Sequence, residues 1–197
     1  MKVLIMVLSS MKQPFDKMYE AQKETWDSIE VENVKTAYYF CWDYMKMHIP
    51  FRDSLIEHWD EDWDVIFRTN SSSYVDKERL YEYIKDKPTT NLWIGSPLGV
   101  ASGSGFFISR DLAEILKDNI TDDQFKYEDV LLQNILNERE FKCRKGKRAY
   151  YNHNNRTYEL NYHIRCKNES NPDGRFKYDR YEDVLAMHHI FNTIPKL

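Results

Sequence analysis

The stretch "KVLIMVLSS", residues 2–10, contains an unbroken apolar run at residues 3–8, and two serines follow it. A strand that is covered on both faces in a parallel sheet has such a continuous run, whereas a half-exposed strand alternates. Open α/β sheets bind ligands at the carboxyl ends of their strands. We therefore expect this strand inside the sheet, with Ser9 and Ser10 facing a bound ligand.

Strand-like and helix-like segments alternate along most of the remaining chain. Apolar, β-branched and aromatic segments predict strands at Val34–Phe40, 63–69, 90–95 and Gly105–Ser109. Helices are predicted at residues 15–28, 51–59, 77–86, 110–118 and 127–138. Residues 141–151 and 157–166 then alternate like two strands about a basic turn, and residues 180–194 predict a closing helix. This order indicates an α/β fold in one domain over residues 1–197, with a mixed, mostly parallel sheet flanked by helices and an added antiparallel piece.

Composition and charge exclude some classes of protein. The net charge of −4 argues against nucleic-acid binding, which needs a broad cationic surface. The three cysteines stand far apart without metal-type or redox-type spacing, which indicates free thiols in a reducing compartment. The apolar start is too short to span a bilayer and lacks the cleavage site of a signal peptide. We therefore expect a cytoplasmic protein without a membrane span.

Three segments, taken in order, resemble the β1,3-galactosyltransferase and Fringe-like glycosyltransferases. Residues 6–26, "MVLSSMKQPFDKMYEAQKETW", resemble their first strand and the helix that closes on an R-x-T-W-like sequence. Residues 64–84, "DVIFRTNSSSYVDKERLYEYI", resemble their strand, K-T-D-D-D segment and helix. Residues 102–116 and 127–136, "SGSGFFISRDLAEIL" and "YEDVLLQNIL", resemble their S-G-x-G-Y-x-x-S-x-D-x-A block and E-D-V helix. The chain also resembles small glycosyltransferases of large viruses and bacteria, in which the middle segment is R-T-N-x-S-S.

The resemblance implies a GT-A fold, a Rossmann-like sheet that binds a nucleotide diphosphate sugar. It implies an inverting hexosyl- or pentosyltransferase that moves the sugar of a UDP-sugar to a hydroxyl group of a glycan or glycoprotein. The acceptor hydroxyl must lose a proton as it attacks the anomeric carbon, and a carboxylate is a natural general base. The E-D-V motif assigns this role to Asp129, with Glu128 as the competing assignment. On the helix pattern alone, these two residues are equally a plain acidic helix start.

The resembling family holds Mn²⁺ or Mg²⁺ with acidic residues that this chain lacks. Asn70, Ser71 and Ser72 occupy those places, and their neutral oxygens alone are weak ligands for hard cations. We therefore expect that no metal is required, although Mn²⁺ or Mg²⁺ could still bind. The candidate ligands for such a metal are Asp76, His163 and His188, and Asp76 is also the expected N-cap of a helix.

Arginine and lysine offer a second way to neutralise a diphosphate. Arg68 ends the third predicted strand, and residues 162–167, "YHIRCK", supply a second group of cationic candidates late in the chain. The donor-binding candidates are therefore Ser9, Ser10, Arg68, Asn70, Ser71, Ser72, Ser73, His163, Arg165 and Lys167. Ser102, Gly103 and Gly105 are the candidates for lining the sugar pocket, because glycine lets the backbone approach a ligand closely.

Two alternatives stay open at this point. A catalytically inactive carbohydrate-binding or nucleotide-binding relative of the same fold would also lack the metal-binding acids. A nucleotidyltransferase shares the sheet and the phosphate chemistry, but it depends on metals held by several carboxylates, which the Asn-Ser-Ser segment disfavours. The small size fits a viral or bacterial enzyme, and in the viral case the location would be the host cytoplasm.

Overall fold

The computed structural model describes residues 1–12, 15–96, 98–103, 105–124, 126–146, 149–150 and 162–165. The strands are β1 (Val3–Ser9), β2 (Val34–Phe40), β3 (Val65–Asn70), β4 (Ser73–Val75), β5 (Trp93–Ile94), β6 (Gly105–Ser109), β7 (Ala149–Tyr150) and β8 (His163–Arg165). The α-helices are α1 (Phe15–Glu24), α2 (His48–Glu57), α3 (Lys77–Ile84), α4 (Arg110–Asn119) and α5 (Glu128–Asn137), with short 3-10 turns at Trp26–Ser28 and Tyr44–Lys46. The closing helix predicted at residues 180–194 lies outside the described residues.

The main sheet has five strands in the order β2-β1-β3-β6-β5. β1 pairs in parallel with β2 and β3, with Val3 opposite Val34 on one side and Val65 on the other. β6 runs antiparallel to both β3 and β5. The sheet is therefore mixed, and the predicted α/β class is confirmed.

The apolar run of β1 is explained by cores on both faces of the sheet. Val3, Ile5 and Val7 belong to one buried cluster, which also contains residues of α1 and α3. Leu4 and Met6 belong to the opposite cluster, which contains residues of α2, α4 and α5. Because successive side chains of a strand point to opposite faces, a central strand covered by two helical layers has to be apolar at every position.

A second, three-stranded sheet has the order β4-β8-β7. β4 is antiparallel to β8, with Tyr74 opposite Ile164, and the sequence pattern did not predict this pairing. Of the two segments expected to alternate like strands, residues 141–151 contain β7 and residues 157–166 contain β8, and these two strands are parallel to each other. A parallel pair cannot be closed by a tight turn, and residues 151–162 connect these strands. The antiparallel pairing with β4 carries His163 to the end of β3.

The ends of several elements meet at one edge of the main sheet. β1 and β3 end there at Ser9 and Asn70, and β6 begins there at Gly105 because it runs in the opposite direction. Asp76 caps α3 as expected, since its Oδ1 accepts a hydrogen bond of 3.1 Å from the Arg79 N–H. Of the described helices, none has the length and apolar character needed to cross a membrane.

Candidate functional site

Arg68 and Glu128 form a buried ion pair where the carboxyl end of β3 meets the amino end of α5. The guanidinium donates from Nε to Glu128 Oε1 at 2.7 Å and from Nη2 to Glu128 Oε2 at 2.5 Å. Each side chain is only 1% exposed. Arg68 Nε also lies 3.0 Å from the hydroxyl of Tyr39, and Nη1 donates to the carbonyl oxygen of Gly103. This arrangement favours a structural use of Arg68, and its contact with a donor diphosphate stays a prediction.

Burial and the charge pair act in opposite directions on these two groups. Burial raises the pKa of the Glu128 carboxyl above its ordinary value, and the charge and hydrogen bonds of Arg68 offset only part of that rise. Burial also opposes the charge on Arg68, but Glu128 raises the pKa of the guanidinium above its already high value. Arg68 is therefore charged at every working pH. A carboxylate held in this way on both oxygens has little freedom to take a proton from a substrate.

Asp129 is the carboxylate that remains half-buried at this edge. Its Oδ2 accepts a hydrogen bond of 3.1 Å from the Gly103 N–H, and its Oδ1 accepts one of 3.0 Å from the N–H of Val130. Each carboxylate oxygen has a second lone pair for a further donor. The side chain of Asp129 is thus oriented by the backbone, and its environment is more open than that of Glu128.

Asn70 connects the segment after β3 to the glycine-rich loop, which lies between β5 and β6 and contains Gly95, Gly99 and Gly103. Its Oδ1 accepts hydrogen bonds from the Ser72 N–H at 3.2 Å and the Ser72 hydroxyl at 2.8 Å, and Ser73 Oγ lies 3.3 Å away. Its Nδ2 donates to the carbonyl oxygen of Gly103 at 2.7 Å. Because a backbone N–H can only donate, the atom that faces Ser72 N must be the oxygen, which fixes the orientation of the amide.

The serines after Asn70 are buried rather than exposed to a ligand. Ser71 and Ser72 are each 3% exposed and Ser73 is fully buried. Gln22 of α1 donates to the carbonyl oxygens of Asn70 at 3.2 Å and Ser73 at 2.8 Å. These two bonds hold the turn of residues 70–73 against α1. The donor-binding role of these serines stays a prediction.

His163 lies against the same turn. It is 2% exposed, and its Nε2 lies 3.0 Å from Ser73 Oγ and 3.5 Å from Thr69 Oγ1. A side chain at Gly105 would place its Cβ 2.8 Å from the His163 ring and 3.1 Å from the ring of Phe67. Glycine at position 105 therefore allows the imidazole to approach β6. The close approach expected from the sequence was that of a sugar, and that role of Gly105 stays a prediction.

The remaining predicted site residues have the following places. The Ser9 hydroxyl donates to the carbonyl oxygen of Phe15, and Ser10 accepts from the Lys12 N–H at 3.2 Å. Ser102 precedes Gly103 in the glycine-rich loop, and its carbonyl oxygen accepts from the Gly105 N–H. The backbone of Arg165 pairs with Ser73. Lys167 and His188 lie outside the described residues.

Among the described residues there is no group of three or more histidine, cysteine, aspartate or glutamate side chains arranged to hold a metal ion. Of the metal candidates, Asp76 is engaged as a helix cap, with its Oδ2 also 3.3 Å from Arg79 Nε, and His163 faces hydroxyl groups. The expectation that no metal is required is not tested by this geometry.

Two residues of the site were missed by sequence reasoning. Tyr39 contacts the Arg68–Glu128 pair from β2, and Gln22 fixes the turn of residues 70–73. A signal existed for Gln22, because it lies on the inner side of α1, four residues after the buried Met18. A buried amide has to find partners, which makes such a residue a candidate for holding a loop.

Comparisons with known proteins support the fold. No family model matches the chain, and a search of curated proteins found no match. A solved structure described as "Crystal structure of a glycosyltransferase involved in the glycosylation of the major capsid of PBCV-1" matches with a TM-score of 0.60 at 14% identity. The match covers 95% of this chain and 99% of that chain. The chain therefore has a fold that a glycosyltransferase also has, and at this identity the likeness establishes the fold alone.

Proposed function

We propose that this protein is an inverting glycosyltransferase that moves a hexose or pentose from a UDP-sugar to a hydroxyl group of a glycan or glycoprotein. The observation that carries the proposal is the half-buried carboxylate of Asp129, which accepts from the N–H groups of Gly103 and Val130 at the edge where β1 and β3 end. Open α/β sheets bind ligands at such an edge. The likeness to a glycosyltransferase over nearly the whole chain supports it.

In the proposed reaction Asp129 is the general base. As the acceptor oxygen forms its bond to the anomeric carbon, its proton passes to the carboxylate of Asp129, and the bond between that carbon and the diphosphate breaks on the opposite face. The electron pair of the broken bond stays on the nucleoside diphosphate. Attack and departure on opposite faces invert the configuration at the anomeric carbon.

Between the two carboxylates of the E-D-V motif, the geometry favours Asp129. Glu128 is 1% exposed and shares both oxygens with Arg68, so proton transfer to it would first require breaking a buried ion pair. Asp129 keeps open lone pairs and needs no such rearrangement.

The developing charge on the diphosphate needs donors or cations beside it. We propose that Arg165 and Lys167 supply them together with His163, so that Mn²⁺ or Mg²⁺ is optional. Ser9 and Ser10 would contact the nucleotide from the end of β1, and Ser102, Gly103 and Gly105 would face the sugar. We further propose a cytoplasmic location, in the host cytoplasm if the protein is viral.

The test is release of nucleoside diphosphate from a panel of UDP-, GDP- and dTDP-sugars, with and without simple glycoside acceptors. Asp129→Asn should lower turnover by about a hundredfold or more while the donor still binds, because the amide cannot take the proton. The matched control is Asp123→Asn, an exposed carboxylate ahead of α5, which should leave turnover unchanged. Unchanged turnover in Asp129→Asn would overturn the assignment of the base.

A catalytically inactive relative that binds a nucleotide or carbohydrate is the second candidate. The commitment of Asn70 to protein hydrogen bonds, where the resembling family has acidic metal ligands, favours it. The same panel separates the two candidates. Donor binding without release of nucleoside diphosphate from any sugar would favour the binding protein.

A further inference from the structure

Both backbone polar groups of Gly103 are held by side chains of the site. Its carbonyl oxygen accepts from Arg68 Nη1 and, at 2.7 Å, from Asn70 Nδ2. Its N–H donates to Asp129 Oδ2 at 3.1 Å. Gly103 therefore links Asp129, the proposed general base, to the buried Arg68. Among the described residues, no hydrogen bond joins those two side chains directly.

The buried cation is itself fixed in orientation. Glu128 accepts from two nitrogens of the Arg68 guanidinium, and Tyr39 lies within hydrogen-bond distance of both partners, at 3.0 Å from Nε and 3.4 Å from Oε1. A planar fork held on both oxygens of a carboxylate has one orientation, whereas a lysine in its place would be a flexible point charge. The remaining Nη1 is thereby aimed at the Gly103 carbonyl.

We propose that Arg68 and Glu128 are positioning residues that set the orientation of Asp129 through Gly103. The inference rests on the proposed function, because it takes Asp129 as the base. Glu128 orients Arg68, Arg68 fixes the Gly103 carbonyl, and the Gly103 N–H holds one oxygen of Asp129. A base misplaced by about 1 Å can cost about a hundredfold in rate, which is the effect that such a clamp prevents.

A purely stabilising role is the alternative to positioning. Buried ion pairs are weak evidence for stability, because apolar replacements are often neutral, whereas removing one partner is costly. The chain offers a matched control in a second buried pair, Lys77 with Asp27, whose side chains are 6% and 5% exposed. Asp27→Asn breaks that pair away from Gly103 and Asp129, so it measures what lost stability alone does.

The first experiment uses the backbone amide of Gly103 as a reporter, so it requires no donor. Amide chemical shifts and hydrogen-exchange rates are measured by NMR on the full chain as wild type, Arg68→Lys, Glu128→Gln and Asp27→Asn. We expect the Gly103 signal to shift and its exchange to accelerate by about tenfold in the first two variants, although neither residue bonds to that amide, and to stay unshifted in Asp27→Asn. An unmoved Gly103 signal in both Arg68→Lys and Glu128→Gln would overturn the proposal.

The second experiment measures kcat and KM separately with whichever sugar nucleotide releases its diphosphate. Arg68→Lys and Glu128→Gln should lower kcat by about 10- to 100-fold with little change in the KM for the donor, and Asp27→Asn should change neither. If either single variant fails to fold, the double variant Arg68→Met/Glu128→Leu removes both charges and should fold with the same loss of kcat. Unchanged kcat in the positioning variants overturns the inference if Asp129→Asn is inactive, whereas an active Asp129→Asn overturns the base assignment itself.

Discussion

The side-chain amide of Asn70 donates a hydrogen bond of 2.7 Å to the carbonyl oxygen of Gly103. A carboxylate at position 70 could not donate this bond, and its charge would face a carbonyl oxygen at close range. The contact with Gly103 therefore requires an amide, and not an acid, at position 70. Through this bond, Asn70 joins the segment after β3 to the glycine-rich loop.

Asn70→Asp should destabilise the protein without creating a metal site. We expect the free energy of unfolding to fall by about 1 to 2 kcal/mol, because the Gly103 bond is lost and the carbonyl is left facing a charge. Denaturant unfolding measures the loss, and calorimetric titration with Mn²⁺ should show no added binding. Asn137→Asp, at an exposed position, should change stability by no more than about 0.5 kcal/mol. Tight Mn²⁺ binding by Asn70→Asp would contradict this explanation.

The buried pair of Lys77 and Asp27 should make stability depend on pH. Burial opposes the charge of Asp27, but hydrogen bonds from Lys23 and Lys77 lower the pKa of this carboxyl below its ordinary 3.8. A lowered pKa in the folded state gives stability that is complete above 3.8 and lost as the pH falls through the folded value. Asp27→Asn should lower the free energy of unfolding by roughly 3 kcal/mol at neutral pH. This difference from wild type should shrink as the pH falls through the folded pKa of Asp27.

Lys23 provides the control for that measurement. Its side chain is 51% exposed and pairs with the same carboxylate at 2.9 Å. Lys23→Ala should cost less than about 1 kcal/mol, because solvent screens an exposed pair. Urea unfolding across the acid range gives both values, and equal losses for Lys23→Ala and Asp27→Asn would show that burial is not what matters.

Alanine at positions 105 and 103 should have unequal effects. At Gly105 the added Cβ would meet the His163 ring at 2.8 Å, and we expect a loss of about 1 to 3 kcal/mol as that buried ring is displaced. At Gly103 the nearest atoms lie at 3.7 and 3.8 Å, which is ordinary contact, so Gly103→Ala should stay within about 1 kcal/mol of wild type. Thermal unfolding of the two variants, measured side by side, compares their stabilities. Equal stability of Gly105→Ala and Gly103→Ala would contradict the close approach of His163 to β6.

Removing the cap of α3 gives a further check on one metal candidate. Asp76→Ala should cost about 1 kcal/mol, because the Arg79 N–H loses its acceptor. Asp86→Ala, an exposed change after the same helix, should have almost no effect. If the wild-type protein binds Mn²⁺, and Asp76→Ala abolishes that binding but leaves stability unchanged, then Asp76 is a metal ligand rather than a cap.

The sheet could be predicted because its signals are local. The continuous apolar run of β1, the strand "VKTAYYF" and the Asp76 cap each follow from a few neighbouring residues. The β4–β8 pairing could not be predicted in this way, since it joins segments about ninety residues apart and β4 has only three residues. The same holds for the candidate site. The motif pointed to Glu128 and Asp129, but only tertiary contacts show that Glu128 is paired with Arg68 and that Asp129 accepts from the Gly103 N–H.

Calorimetric titration of the protein with nucleoside diphosphates, each in EDTA and in Mn²⁺, is the most direct test of the proposed donor site. We expect that UDP binds in EDTA, that Mn²⁺ changes its affinity by less than about tenfold, and that Arg165→Ala weakens it. Binding that appears only with Mn²⁺ would contradict a donor site that needs no metal. No binding of any nucleoside diphosphate under either condition would contradict the proposal that the protein is a glycosyltransferase.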